Sequence, residues 1–172
     1  FQKSKINSNL VIKDSFQPII KIPVEIYIPE DFINDVDLRL SIYKRISNIN
    51  NNKEIEDIKI ELIDRFGQLP PEVNTLLLVV RIKSVCKKAG IGKLDGGPKG
   101  ATIQFHNDKF ISPEGLVEFI KEQNGLAKVK DNKLIIKREW KKNSDKFKGA
   151  FSIARDLAEI AVSYEKNCSA KN

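Results

Sequence analysis

The sequence predicts an α+β domain, with helices and hairpins set apart along the chain rather than alternating as strand–helix–strand units. Three observations carry this. Amphipathic helical stripes occupy residues 35–90, the apolar period then shortens to two through residues 91–105, and it does so again through residues 126–137. The expected architecture is a single domain built on a central buried helix, flanked by amphipathic helices and β-hairpins. A chain of 172 residues with 41% hydrophobic residues suits one domain with one real core.

Residues 1–21 are rich in Asn, Ser and Lys and read as a linker or tail, with a short apolar patch at Ile19–Ile20. Val24, Ile26 and Ile28 then alternate with Glu25 and Tyr27, which predicts a strand ended by Pro29. Asp31 or the pair Asn34–Asp35 can cap a first helix through Val36, Leu40 and Tyr43, with Ile42, Ile46 and Ile49 on an adjoining stripe. A second helix spans Lys53 to Gly67, where Ile55, Ile58, Leu62 and Phe66 share one face, Ile63 lies beside it, and charges fill the other. Gly67 suits its C-terminal cap, and Pro70–Pro71 restart the chain at a favourable first turn. The third helix is apolar on nearly all sides from Val73 to Val85, which predicts a place at the centre of the core, and Gly90 closes it.

A strand near 91–95 should turn through Gly96–Gly100 and pair with 101–105. Ser112 caps a short helix holding Leu116, Phe119 and Ile120. Segments 126–130 and 133–137 flank Asp131–Asn132, a tight hairpin signal. The last helix runs from about Asp145 to Tyr164, with Phe147, Ala150, Phe151, Ala154, Leu157, Ala158 and Ala161 on one stripe.

Few chemistries fit these residues. The chain has one histidine, His106, at a strand end, and no HExxH or close cysteine pair, so no metal site and no cofactor are indicated. Its glycine-rich stretch, residues 90–100, lacks the spacing of a phosphate-cradling loop and precedes a strand, so a hairpin turn is the reading. The expectation is therefore a domain that is not an enzyme. Cys86 and Cys168 form no short-spaced pair, which points to a reducing, cytoplasmic setting. No apolar run approaches the roughly 18 residues that span a bilayer, so no membrane association is expected. The absence of Met and the start at Phe1 read as a piece of a longer protein or a processed form.

Two features could meet a partner. Between residues 128 and 148, nine basic side chains face three acids, a net +6 against +7 for the whole chain. Lys137, Arg138, Trp140, Lys141 and Lys142 form its centre and are candidate nucleic-acid contacts, with the lysines on phosphates and the indole on a base. The other reading is a solvated lysine-rich hairpin with Trp140 packed on the last helix. The second feature is Glu61, Asp64 and Arg65, on one face of the second helix by their i, i+3, i+4 spacing. They make either a simple helix-surface Glu–Arg pair or a partner-facing triad that contributes little to folding.

The runs DVDLRLSIYKRIS (Asp35–Ser47) and ELIDRFGQLPPEV (Glu61–Val73), with the helix ending at KKAGIGKL (Lys87–Leu94), resemble the C-terminal domain of bacterial transcription-repair coupling factors. The likeness covers roughly Val24–Ala161 and fades after Phe110. It implies that residues 1–22 are a linker from upstream motor domains, 23–164 the domain and 165–172 a tail. It implies a regulatory domain with no catalytic role, docking on the UvrB-like module of the same polypeptide and covering the surface that recruits UvrA. The parent would be an ATP-dependent DNA translocase acting on stalled RNA polymerase. The family's contact motif falls on Glu61, Asp64 and Arg65. The alternative is a nucleic-acid-binding appendage using the 128–148 tract, with weak DNA contact.

Overall fold

In the computed structural model, residues 16–171 are described. The first element is a three-residue strand, β1 (Ile19–Lys21), followed by an irregular segment and three helices: α1 (Val36–Ser47), α2 (Asn52–Phe66) and α3 (Pro71–Ala89). The hairpin β2 (Ile91–Gly97) and β3 (Gly100–Phe105) comes next, then a 3-10 turn over His106–Asp108 and the short helix α4 (Pro113–Glu122). A second hairpin, β4 (Ala127–Lys130) and β5 (Lys133–Lys137), leads into the long α5 (Asn143–Ala170).

The helix boundaries follow local chemistry. Asp35 caps α1, accepting from the Leu38 amide at 2.7 Å, and Asn51 caps α2, accepting from Glu54 N at 2.9 Å. Gly67 and Gly90 end α2 and α3 at φ +90° and +71°, values that glycine adopts without the cost of a side chain. Ser112 Oγ accepts from Gly115 N at 3.1 Å and starts α4.

The strands form one sheet in the order β1-β2-β3-β5-β4, with β1 parallel to β2 and the other pairs antiparallel. Both expected hairpins are present, and the pairing of β3 with β5 joins them. Asp131 and Asn132, at φ +53° and +60°, make the tight turn between β4 and β5. Ala101, Ile103 and Phe105 of β3 and Leu134 and Ile136 of β5 are buried, while Thr102, Gln104 and Ile135 between them are half-buried. This is the alternation of a sheet covered on one face. α3 and α5 supply the cover.

Two apolar clusters result. One unites the sheet, α5, Phe119 of α4 and the C-terminal half of α3 (Ile82, Cys86, Ala89). The other unites α1, α2, the N-terminal half of α3 (Val73, Leu77, Val80) and the loop residues Ile28, Ile33 and Leu69. α3 is therefore central in the expected sense: it is the element that both clusters share. Cys86 is buried among its neighbours, which pushes its thiol up to about 12, and Cys168 is exposed; both are free thiols.

The structure corrects three local expectations. Residues 24–28 are not a strand. Pro23 and Pro29 bracket them, Ile28 is buried but Ile26 is exposed, and the Ile28 amide donates to the Tyr43 hydroxyl rather than to a ladder. The strand lies instead at Ile19–Lys21, within the stretch read as linker, so the sheet begins before residue 23. The part of that linker reading that covers residues 1–15 lies outside the described residues. The C-terminal helix runs to Ala170, so the residues read as a tail from 165 onward continue α5.

Candidate functional site

α2 presents its apolar stripe, Ile55, Ile58 and Leu62, to the core. The side chains facing the other way form the first candidate site. Glu61 stands at the edge of that face and is bonded inside the domain. Arg45, from α1, reaches it with two parallel bonds, Nη1 to Oε1 at 2.8 Å and Nη2 to Oε2 at 2.6 Å. Arg65, one turn on, adds a third from Nη1 to Oε1 at 2.9 Å. The paired Arg45 guanidinium, helped by Arg65, holds the Glu61 carboxyl at about 2, well below its ordinary 4.5, and Glu61 in turn raises Arg45. Arg65 also stands 5.0 Å over the Phe66 ring, so its guanidinium is held from two sides.

Asp64 is exposed and makes no hydrogen bond or ion pair among the described residues. Around it lie two large apolar side chains, Ile60 at 59% and Ile63 at 43% exposure. Ile63, expected beside the buried stripe, therefore faces solvent. On the other flank a cleft of about 340 Å³ between α1 and α2 is lined by Arg45, Glu54, Asp57 and Glu61 among others. The sequence reading found the three charged residues but missed Arg45, which is 16 positions from Glu61 and on another helix. It also missed the exposed isoleucines, whose signal was available: Ile60 falls outside the buried stripe.

The second candidate site is divided by the fold. Trp140 is buried at 7% exposure, its backbone amide donating to Pro98 O at 2.9 Å. Its indole lies against Gly149 of α5, so closely that a Cβ there would sit 2.2 Å from the ring. A ring packed in this way has no free face for a base, which corrects the expectation of a stacking contact through Trp140. Arg138 is half-buried and spends its guanidinium on Gln123 Oε1 and the Lys137 carbonyl. Lys137, Lys141 and Lys142 are exposed.

His106 opens the 3-10 turn with its ring stacked on Phe16 at 4.2 Å, and its Nε2 has no hydrogen-bond partner among the described residues. No cluster that could hold a metal ion occurs among the described residues, and no helix there is long and apolar enough to cross a membrane. An open trough between α4 and α5 carries Glu114, Glu118, Glu122, Asp156 and Glu159 beside the hydroxyls of Ser112, Ser163 and Tyr164.

The Glu61 geometry predicts a pH signature. A carboxyl held low in the folded state stabilises the fold above its ordinary value and loses that contribution as pH falls through about 2. In this partly exposed setting solvent screening leaves about 1 kcal/mol. Urea unfolding of Glu61→Gln should show the full deficit above pH 5, shrinking to nothing as pH approaches about 2. A deficit independent of pH would mean that the carboxylate charge is not what binds Arg45.

Comparison with known proteins agrees with the fold. A family model described as the TRCF domain matches residues 22–116. A transcription-repair-coupling factor of Rickettsia conorii is 38% identical over 139 residues, covering 80% of this chain and 12% of that protein. The Escherichia coli protein of the same name is 41% identical over 109 residues, 63% of this chain and 10% of its own length. The chain thus spans about a tenth of the length of these curated relatives. A crystal structure of the C-terminal domain of transcription-repair coupling factor superposes with a TM-score of 0.72 at 25% identity, covering 86% of this chain and 96% of that one. With the family model over more than half the chain and this fold in common, the chain belongs to the transcription-repair coupling factor family, as its C-terminal TRCF domain.

Proposed function

We propose that this domain is a non-catalytic restraint on its parent protein, docking through the outward face of α2 onto a UvrB-like module of the same polypeptide and so masking the surface that recruits UvrA. The observation that carries this reading is the composition of that face. Asp64 is charged, exposed and unpaired among the described residues, and it lies beside the exposed Ile60 and Ile63. Apolar contact area ringed by charge is the make-up of a docking surface, where the apolar part supplies affinity and the charges supply register. The bonds from Arg45 and the Phe66 ring hold Glu61 and Arg65 in place before any partner arrives, which lowers the ordering cost of association.

In this reading the parent is an ATP-dependent DNA translocase that acts on stalled RNA polymerase, and the domain acts on it only by contact. Burial of Trp140 removes the aromatic half of the nucleic-acid alternative. What remains there is a set of exposed lysines, which supports only weak, salt-sensitive phosphate attraction.

Asp64→Lys in the full-length parent tests the reading. The substitution breaks no bond inside the domain, so its melting temperature should move little. Placing a cation on the docking face should raise UvrA binding severalfold. UvrA binding at the wild-type level, with the fold intact, would show that the restraint is not exerted through this face.

A further inference from the structure

A second face of the domain, remote in the chain from the α2 charges, has the make-up of a binding groove. α3 and α5 pack in parallel: residues 78–82 lie beside 144–151, and residues 84–90 beside 161 and 165. Near the start of α5 the two helices do not close completely. They leave a groove of about 260 Å³ walled by Leu78, Ile82, Phe147 and Phe151. Ile82 and Phe147 are core residues, but Leu78 is 44% exposed, so apolar surface reaches solvent here.

The rim of this groove is cationic. Arg81 lies with its guanidinium carbon 4.8 Å from the centre of the Phe151 ring, and Lys148 also lines the groove. Neither forms a salt bridge among the described residues. Ser144, at the end of the groove, is in the first turn of a 28-residue helix, whose amide dipoles add positive potential there, offset in part by the Asp145 carboxylate that accepts from the Lys142 amide. Lys141 and Lys142 lead into it, so the strongly basic tract of the sequence ends against an apolar slot.

The size and chemistry select the occupant. The volume is below that of typical small-molecule sites and suits one large side chain. A single-stranded nucleic acid held by stacking would need an open aromatic face for its bases. Trp140 and Phe147 are buried and Phe151 is covered by Arg81, so bases find no platform. We propose that this groove docks an acidic segment of a partner protein, which inserts one large apolar side chain between Leu78 and Phe151 and sets its carboxylates on Arg81 and Lys148. The proposal is independent of the α2 face: either can fail alone.

The test uses the isotopically labelled 172-residue chain and a short synthetic peptide with one phenylalanine flanked by glutamates and aspartates. Amide resonances of Leu78, Arg81, Ser144, Lys148 and Phe151 should shift together on titration. Replacing the phenylalanine with glycine should weaken binding about tenfold or more, the loss expected for one buried aromatic anchor. Replacing the acids with lysines should abolish binding, and added salt should weaken it. Lys148→Glu and Leu78→Asp, both at exposed positions, should each reduce binding while the rest of the spectrum keeps its dispersion. Several results would overturn the proposal. These are no shifts at the groove, equal binding of the phenylalanine and glycine peptides, duplex DNA shifting these amides where the peptide does not, or concentration-dependent shifts without peptide, which would mean that a second copy of the chain covers the groove.

Discussion

Gly100→Ala should destabilise the domain by about 3 kcal/mol or more, enough to unfold much of a marginally stable population at physiological temperature. Two effects add at this position. Its φ of +123° lies where a side chain meets its own backbone, a conformation that glycine alone adopts freely. A Cβ there would also stand 2.0 Å from the Ile136 carbonyl oxygen and 2.8 Å from the Arg138 amide nitrogen. Both obstacles are backbone, so no rotamer change relieves them. Gly100 pairs with Lys137 where β3 meets β5, the seam that joins the two hairpins into one sheet. Moving it apart would open the sheet over which α3 and α5 close. Gly97, at the other end of the same turn, provides the control: nothing lies within 4 Å of its hypothetical Cβ, and its backbone is not left-handed. Gly97→Ala should cost less than about 1 kcal/mol. Urea denaturation of the two variants side by side decides the matter, and similar midpoints would show that the seam yields without cost.

What the sequence revealed and what it hid follow from how local each signal was. The helices were legible because caps and stripes are written within a few residues. Asp35, Asn51, Gly67 and Gly90 end or begin their helices through contacts no more than four positions away. The Asp131–Asn132 turn was legible for the same reason. β1 was hidden because three residues are too few to show a period, and its partner β2 is about seventy positions on. The alternation over Val24–Ile28 was a true pattern with a different cause. Ile28 is drawn into the α1–α2 cluster while two prolines deny the segment a ladder.

Site residues divide along the same line. The i, i+4 pair of Glu61 with Arg65 is written in the spacing, and the structure has it at 2.9 Å. Arg45 is brought to Glu61 by tertiary packing alone. Trp140 looked like part of a basic recognition tract because charge is a property of composition. Its burial depends on one small residue nine positions later, Gly149, which lets the indole approach α5 more closely than any Cβ would allow. A glycine inside an otherwise strong helical stripe was the available clue, since it weakens a helix unless something must approach closely.

Because Glu61 is bonded to both Arg45 and Arg65, it cannot be read as a surface charge that folding ignores, and this allows folding and docking to be separated. In Glu61→Arg, three guanidinium groups would stand where one carboxylate now holds two. The expected cost is about 1–2 kcal/mol, the upper end for partly exposed pairs, since a bidentate bond is lost and repulsion replaces it. For a domain of this size that corresponds to a fall of roughly 2–8 °C in melting temperature. Adding Arg45→Glu reverses the pair and should recover most of the loss, the coupling that a double-mutant cycle measures. The recovered protein would be folded but would present the opposite charge at position 61. In the full-length parent, UvrA binding should therefore stay raised in the swapped variant although stability has returned. If the swap restores both stability and the masked state, Glu61 acts only by tying α2 to α1, and the docking contact is made by Asp64, Ile60 and Ile63 without it. If Glu61→Arg leaves the melting temperature unchanged, the bonds to Arg45 do not hold in solution and both arguments from this ion pair fail together.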